Sequence, residues 1–177
     1  AIAANTNAGD LTAMVEADTA ANLVAKLINT ATTDMLTLGV NGTTATAAHL
    51  NTLAGKTGGK IKLDATEVTG AASVLKDVYV ANKASFTALG NENVTITDPA
   101  TSAANLNKIA AATTGKVTAT LATTDINADT VALLKDVKAT DVITFKTTDT
   151  DLVGKDDLNA LLAIKKLIPN ADFSAIV

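Results

Sequence analysis

Six short runs of alternating apolar and polar residues recur along the chain, beginning near Ala13, Leu36, Ile61, Val94, Val117 and Val142. The intervals between successive starts are 23, 25, 33, 23 and 25. The step from 13 to 94 equals the steps from 36 to 117 and from 61 to 142, as in two rounds of a three-unit set. A unit of roughly 25 residues cannot bury its own apolar side, so copies must close one another.

The alternation predicts strands. Leu36 and Leu38 face inward with Thr37 outward. Ile61 and Leu63 face inward with Lys60 and Lys62 outward. Val94 and Ile96 face inward with Thr95 and Thr97 outward, and Val117, Ala119 and Leu121 inward with Thr118 and Thr120 outward. Leu11–Val15 and Val142–Phe145 are apolar with less regular alternation. The long third interval has room for a seventh short strand around Ser85–Ala88. Ser73–Val78 echoes Ala132–Val137, and the segments that follow, Ala84–Thr87 and Val142–Phe145, also look alike.

After each run come turn residues and then an apolar stripe at spacing three or four: Leu23/Leu27, Leu50/Leu53, Val68/Ala72/Leu75, Leu106/Ile109, Leu133/Val137 and Leu158/Leu161. These are short helices, below the roughly 12–15 residues at which a helix persists alone in water. Asp18, Thr43, Thr66, Thr101, Asp125 and Thr150 or Asp151 are the expected N-caps. Gly55, Gly58, Gly59 and Gly115 stand where helices stop. The longest helix is Lys155–Leu167, with Lys165 and Lys166 in its last turn.

The expected fold is α/β: a solenoid of roughly 25-residue strand–turn–short-helix repeats, with a parallel sheet of about six strands on one side and helices on the other. Residues 1–177 read as a single repeat domain and as a fragment of a longer chain. Leucine-rich repeats share this plan, but their asparagine spacing is not evident. Composition agrees: 47% of residues are hydrophobic and only 2% aromatic, which suits thin regular layers. All fourteen basic residues are lysine and the net charge is −4, which disfavours nucleic acid as a partner. There is no cysteine, and no apolar run is long enough to span a membrane. The start of the chain has no leader pattern.

Asp98-Pro-Ala-Thr-Ser-Ala-Ala-Asn-Leu-Asn-Lys-Ile109 and Glu16-Ala-Asp-Thr-Ala-Ala-Asn-Leu23 resemble a repeat of long bacterial secreted proteins: S-layer proteins, RTX-type surface proteins and large adhesins. Asp125-Ile-Asn-Ala-Asp-Thr-Val-Ala-Leu-Leu134 looks like its companion repeat. The glycine-rich calcium-binding nonapeptide of RTX proteins is absent. The resemblance implies export to the bacterial cell surface and a structural role.

No motif marks a catalytic, cofactor or metal site, and the chain reads as non-enzymatic. His49 is the only histidine, and Ser73, Ser85, Ser102 and Ser174 lack a nucleophile elbow. Asp149/Asp151 and Asp156/Asp157 read as turn and N-cap residues in preference to calcium ligands, since the EF-hand pattern is missing. Gly55-Lys56-Thr57 looks like the tail of a phosphate loop without its first glycine. Thr37, Thr95, Thr97, Thr118, Thr120 and Thr144 form an outward array, interrupted by Lys60 and Lys62, that could order water as ice-binding proteins do. The expected function is a structural surface segment that self-associates or contacts neighbouring domains. The alternative is a surface-binding module using the Thr/Lys face for glycan, lipopolysaccharide or ice.

Overall fold

The computed structural model describes residues 10–123, 126–147 and 155–175, with Ser174 and Ala175 described through their backbone. The elements run β1 Thr12–Met14, α1 Ala20–Lys26, β2 Met35–Val40, β3 Thr44–Thr46, α2 Ala47–Ala54, β4 Ile61–Leu63, β5 Glu67–Gly70 and α3 Ala72–Lys76. They continue with β6 Phe86–Thr87, β7 Asn93–Ile96, α4 Ala103–Ala112, β8 Val117–Thr123, α5 Ala128–Leu133, β9 Val142–Thr147, α6 Lys155–Leu167 and β10 Asp172–Ala175. Strands stand at all six predicted runs and at the seventh.

Every ladder is parallel, from Thr12↔Met35 to Thr144↔Asp172. Each joins a strand to one roughly 25 residues further on, the spacing of a repeat array. The strands form two sheets, one in the order β1-β2-β4-β6 and one in the order β3-β5-β7-β8-β9-β10. This corrects the expected single sheet of about six strands; a repeat solenoid with one sheet on one side is not the observed arrangement. The cause is local. Alternation in β2 stops at Asn41-Gly42-Thr43, where Gly42 takes φ 98°, and the chain turns into β3 in the other sheet. Asp64-Ala65-Thr66 does the same between β4 and β5. The long interval, from 13 to 94, therefore relates β1, β2 and β4 of one sheet to β7, β8 and β9 of the other. The echo of Ala84–Thr87 in Val142–Phe145 likewise places β6 and β9 in different sheets.

The inward faces are those expected. Leu36, Leu38, Ile61, Leu63, Val94, Ile96, Val117, Ala119 and Leu121 are all buried. On the helices, Leu23/Leu27, Leu50/Leu53 and Leu106/Ile109 are buried as predicted. Val68 belongs to β5, and only Ala72 and Leu75 of that stripe lie on α3. Two later stripes are displaced: Leu134 replaces Leu133 beside Val137, and Ala160 with Ile164 is buried in place of exposed Leu158, while Leu161 packs half-buried against the core. Burying each leucine or isoleucine contributes roughly 1.5–3 kcal/mol, which is what stabilises helices this short. The largest fully buried side chains are Tyr79 and Phe145. Phe145 stacks on Phe173 at 5.0 Å between ring centroids. A π-helical turn at Asp77–Ala81 prolongs α3 and seats the Tyr79 hydroxyl, which donates to Glu92 at 3.0 Å. Burial, with the Glu92 carboxylate beside it, pushes the Tyr79 phenol well above its usual range.

The caps shift by one to five residues from expectation. Thr19, Thr46 and Ser102 cap α1, α2 and α4, in place of Asp18, Thr43 and Thr101. Asn127 caps α5; Asp125, Thr150 and Asp151 lie outside the described residues. Ala71 at the head of α3 has no capping side chain of its own, in place of Thr66. Asp98, beyond β7, supplies the acceptor for the Ala72 N–H at 2.5 Å.

Candidate functional site

The outer face of the six-stranded sheet carries threonine in register. Thr46 pairs with Thr69, Thr69 with Thr95 and Thr95 with Thr118, so one row crosses four adjacent strands. Neighbouring strands are about 4.8 Å apart, which sets the repeat of the row. Thr120 and Thr144 begin a second row, continued by Asp172. The row is partly committed already: Thr95 Oγ1 donates to Glu67 at 2.7 Å, and Thr44 Oγ1 donates to the same carboxylate at 3.3 Å.

Of the predicted array, Thr95 with Thr118 and Thr120 with Thr144 are brought together. Thr97 is exposed just beyond β7. Thr37 and Lys62 belong to the four-stranded sheet, with Lys60 just before β4. The single Thr/Lys face is thus divided between two sheets, and the lysines do not interrupt the threonine row. Lys60 Nζ donates to Ala84 O at 2.6 Å, and Lys62 pairs with Asp64 at 2.9 Å. Thr46 and Thr69 carry no alternation signal because β3 and β5 are only three and four residues long.

The other candidates are placed as follows. His49 is half-buried on α2, and its backbone N–H donates to Thr46 Oγ1. Ser73 is exposed on α3, Ser85 ends the turn before β6, and Ser102 Oγ accepts from Asn105 N at the head of α4. The side chain of Ser174, and all of Asp149 and Asp151, lie outside the described residues. Asp156 lines a cleft of about 530 Å³ between α5 and α6, together with Asp129, Asn127 and Asn159. Among the described residues no group of three His, Cys, Asp or Glu could hold a metal ion.

Gly55-Lys56-Thr57 is a turn between layers. Lys56 Nζ donates to Ile28 O, and Thr57 is buried. Thr57 Oγ1 accepts from Leu36 N and Gly59 N, both at 2.8 Å, and lies 2.9 Å from Asp34 O and Leu36 O.

Similar polar seams join other layers. Asp34 accepts from Leu11 N and Ala31 N, and buried Asp141 accepts from Val117 N and Lys138 N. On the helix side Asn51 donates to Val74 O, and Asn107 exchanges two bonds with Asp136. The sequence signal for the two helix-side seams is a recurring Ala-Ala-x-Leu-Asn, at 47–51 and 103–107. Comparison with protein-family models, with curated proteins and with solved structures gives no match.

Proposed function

We propose that the chain is a structural segment of a bacterial cell-surface protein, of the S-layer or adhesin kind, that assembles through many weak contacts with copies of itself or neighbouring domains. The observation supporting this is the regular connection of the strands. Each pairs in parallel with the strand one repeat further on, so each layer depends mainly on its neighbours. The finer reading is a short α/β coil in which the two sheets form two walls. Such a body has flat faces and two unlike ends, a geometry suited to lattices. Export and a surface location rest on the resemblance of Glu16–Leu23 and Asp98–Ile109 to repeats of secreted proteins. Among the described residues no helix is long and apolar enough to cross a membrane. The test is to concentrate the purified chain with and without calcium, following light scattering and electron micrographs. Ordered arrays are expected; a monodisperse monomer at every concentration would refute the proposal.

The in-register threonine row favours a second reading, adhesion of this face to a polysaccharide or to ice. Retention on cells or polysaccharide that survives Thr95→Trp and Thr118→Trp would exclude the row as the binding surface.

A further inference from the structure

We infer that a groove on the helix side, formed by α3, α4 and the turn after α5, binds a sugar that carries a carboxylate, as a unit of an acidic polysaccharide. The groove is separate from the threonine row and does not depend on self-assembly.

A cleft of about 520 Å³ is lined by residues of three consecutive helix layers. Each layer gives it one lysine: Lys76 ends α3, Lys108 lies within α4 and Lys135 follows α5. Packed helices lie about 8–10 Å apart, so three long lysine stems can converge on one small anion. Among the described residues, hydrogen bonds and ion pairs engage Lys26, Lys56, Lys60, Lys62, Lys138 and Lys165. The three groove lysines take part in none of them, so their charge is not spent within the chain.

Asp77 and Asp136 stand in the same lining, which leaves the groove basic by a single charge in a chain of net charge −4. That balance selects the ligand. Nucleic acid or polyphosphate would bring dense negative charge against two carboxylates. One sugar carboxylate neutralises the excess, and sugar hydroxyls supply donors. Asp136 already accepts from Asn107 Nδ2 at 2.8 Å, so exposed Asp77 is the acceptor left for a hydroxyl. The floor is apolar. The π-helical turn Asp77–Ala81 buries Val78 and Tyr79 and leaves Val80 56% exposed, with Ala81 and Ala111 also in the lining. A mostly apolar floor with a few placed polar groups suits one face of a sugar ring. The cleft between α5 and α6 is of similar size, about 530 Å³, but carries Asp129 and Asp156 and no lysine, so it offers an anion no cation.

The probe is trigalacturonate, titrated by calorimetry into the dilute chain in calcium-free buffer. It is expected to bind, its methyl ester is not, and triglutamate, with carboxylates but no hydroxyls, should bind roughly tenfold more weakly or worse. Changing Lys76, Lys108 and Lys135 together to Gln should weaken trigalacturonate binding roughly tenfold while the unfolding midpoint holds, since none of the three is bonded. Lys108→Gln alone, at an exposed position, should weaken it by about twofold or more and keeps the test open should the triple variant fail to fold. The same three changes at Lys116, Lys155 and Lys166, all exposed elsewhere, should leave it within about twofold. Asp77→Ala should also weaken binding; tighter binding would show that Asp77 only repels the anion and would overturn the inference. No binding at millimolar trigalacturonate, or equal losses in the two triple variants, would overturn it too. Triglutamate binding as tightly would assign the groove to an acidic peptide instead.

Discussion

Residues 47–63 and 103–119 begin alike and end differently. Eight of the seventeen positions are identical, including Asn51 and Asn107, Thr57 and Thr113, Gly59 and Gly115, and Lys60 and Lys116. The shared part does the same work in both. Thr57 and Thr113 are buried, each takes the N–H two residues on, and each donates to a backbone carbonyl of the layer before, Leu36 O in β2 and Glu92 O just ahead of β7. After the lysine the segments part. Ile61-Lys62-Leu63 stops at Asp64 and turns a corner, whereas Val117 runs on to Thr123 without interruption. β4 consequently lies in the four-stranded sheet, and β8 crosses the middle of the six-stranded one. A common lead-in fixes where a strand begins; how far alternation continues fixes whether a layer holds two short strands or one long one.

The largest expected effect tests the shared lead-in. A Cβ on Gly59 would fall on the Leu36 carbonyl oxygen, and one on Gly115 on the Glu92 carbonyl oxygen. Neither backbone can retreat without opening a ladder. Gly59→Ala and Gly115→Ala should each cost about 3 kcal/mol or more in denaturant unfolding. Costs differing by more than about 2 kcal/mol would mean that the two lead-ins are not one device.

Next in size is the lead-in to β9, where a carboxylate does what threonine does elsewhere. Asp141 is fully buried and holds Val117 N at 2.7 Å and Lys138 N at 2.8 Å, with Lys138 Nζ at 3.6 Å. Asp141→Ala strands both N–H groups and should cost about 2–3 kcal/mol. Asp34→Ala, at a half-buried position where the carboxylate accepts from Leu11 N and Ala31 N, should shift the unfolding midpoint less. Equal midpoint shifts would show that burial does not separate the two halves.

Much of this is legible from pattern. The inward positions of β2, β4, β7 and β8 follow from alternation, and the extent of α6 from its apolar spacing and the proline after it. The division into two sheets is not, because β3 and β5 are too short to show a period and read as turn. The long interval from 13 to 94 misleads for the same reason: it aligns apolar runs, and a run of Ile and Leu looks alike in either sheet. The likeness of 47–63 to 103–119 carries the layer contacts in Asn, Thr and Gly, which an apolar count ignores. Leucine outranks alanine as a core residue, so the pattern turns Leu133 and Leu158 inward. In α6 the smaller Ala160 faces in instead, beside Ile164. The threonine row is half visible, since two of its members lie on the strands that show no period.

Acid should separate the two halves more gently. Asp18 accepts from Lys26 Nζ at 2.6 Å, Asn22 Nδ2 at 2.8 Å and Thr19 N at 2.7 Å, which together lower its pKa from 3.8 to about 2. The N–H groups of Ala31 and Leu11 lower that of Asp34. A carboxyl with a depressed folded pKa binds a proton more readily once unfolded. Its stabilisation is present above the ordinary carboxylate range and is lost as pH falls from about 4 toward 2. Both groups lie in the first two layers. Amide exchange between Leu11 and Leu38 should therefore lose protection at a higher pH than exchange between Val117 and Thr147. A simultaneous loss in both would contradict the assignment.

The smallest effect concerns the corners that only the two-stranded layers need. Gly42 turns the first with φ 98°, but between β6 and β7 positive φ is taken both by Gly90 at 115° and by exposed Ala88 at 60°. An alanine there costs about 1–2 kcal/mol relative to its preferred backbone, most of which glycine avoids. Against this stands the greater freedom of glycine in the unfolded chain, worth about 0.5–1 kcal/mol. Ala88→Gly should thus stabilise by about 0.5 kcal/mol, and Gly42→Ala should destabilise by about 1 kcal/mol, read as opposite shifts in melting temperature. If Ala88→Gly instead lowers the melting temperature, the corner is not strained. The end of alternation at Thr87 would then owe nothing to backbone conformation, and the choice between one strand and two would have to lie in the contacts made by Phe86 and Leu89.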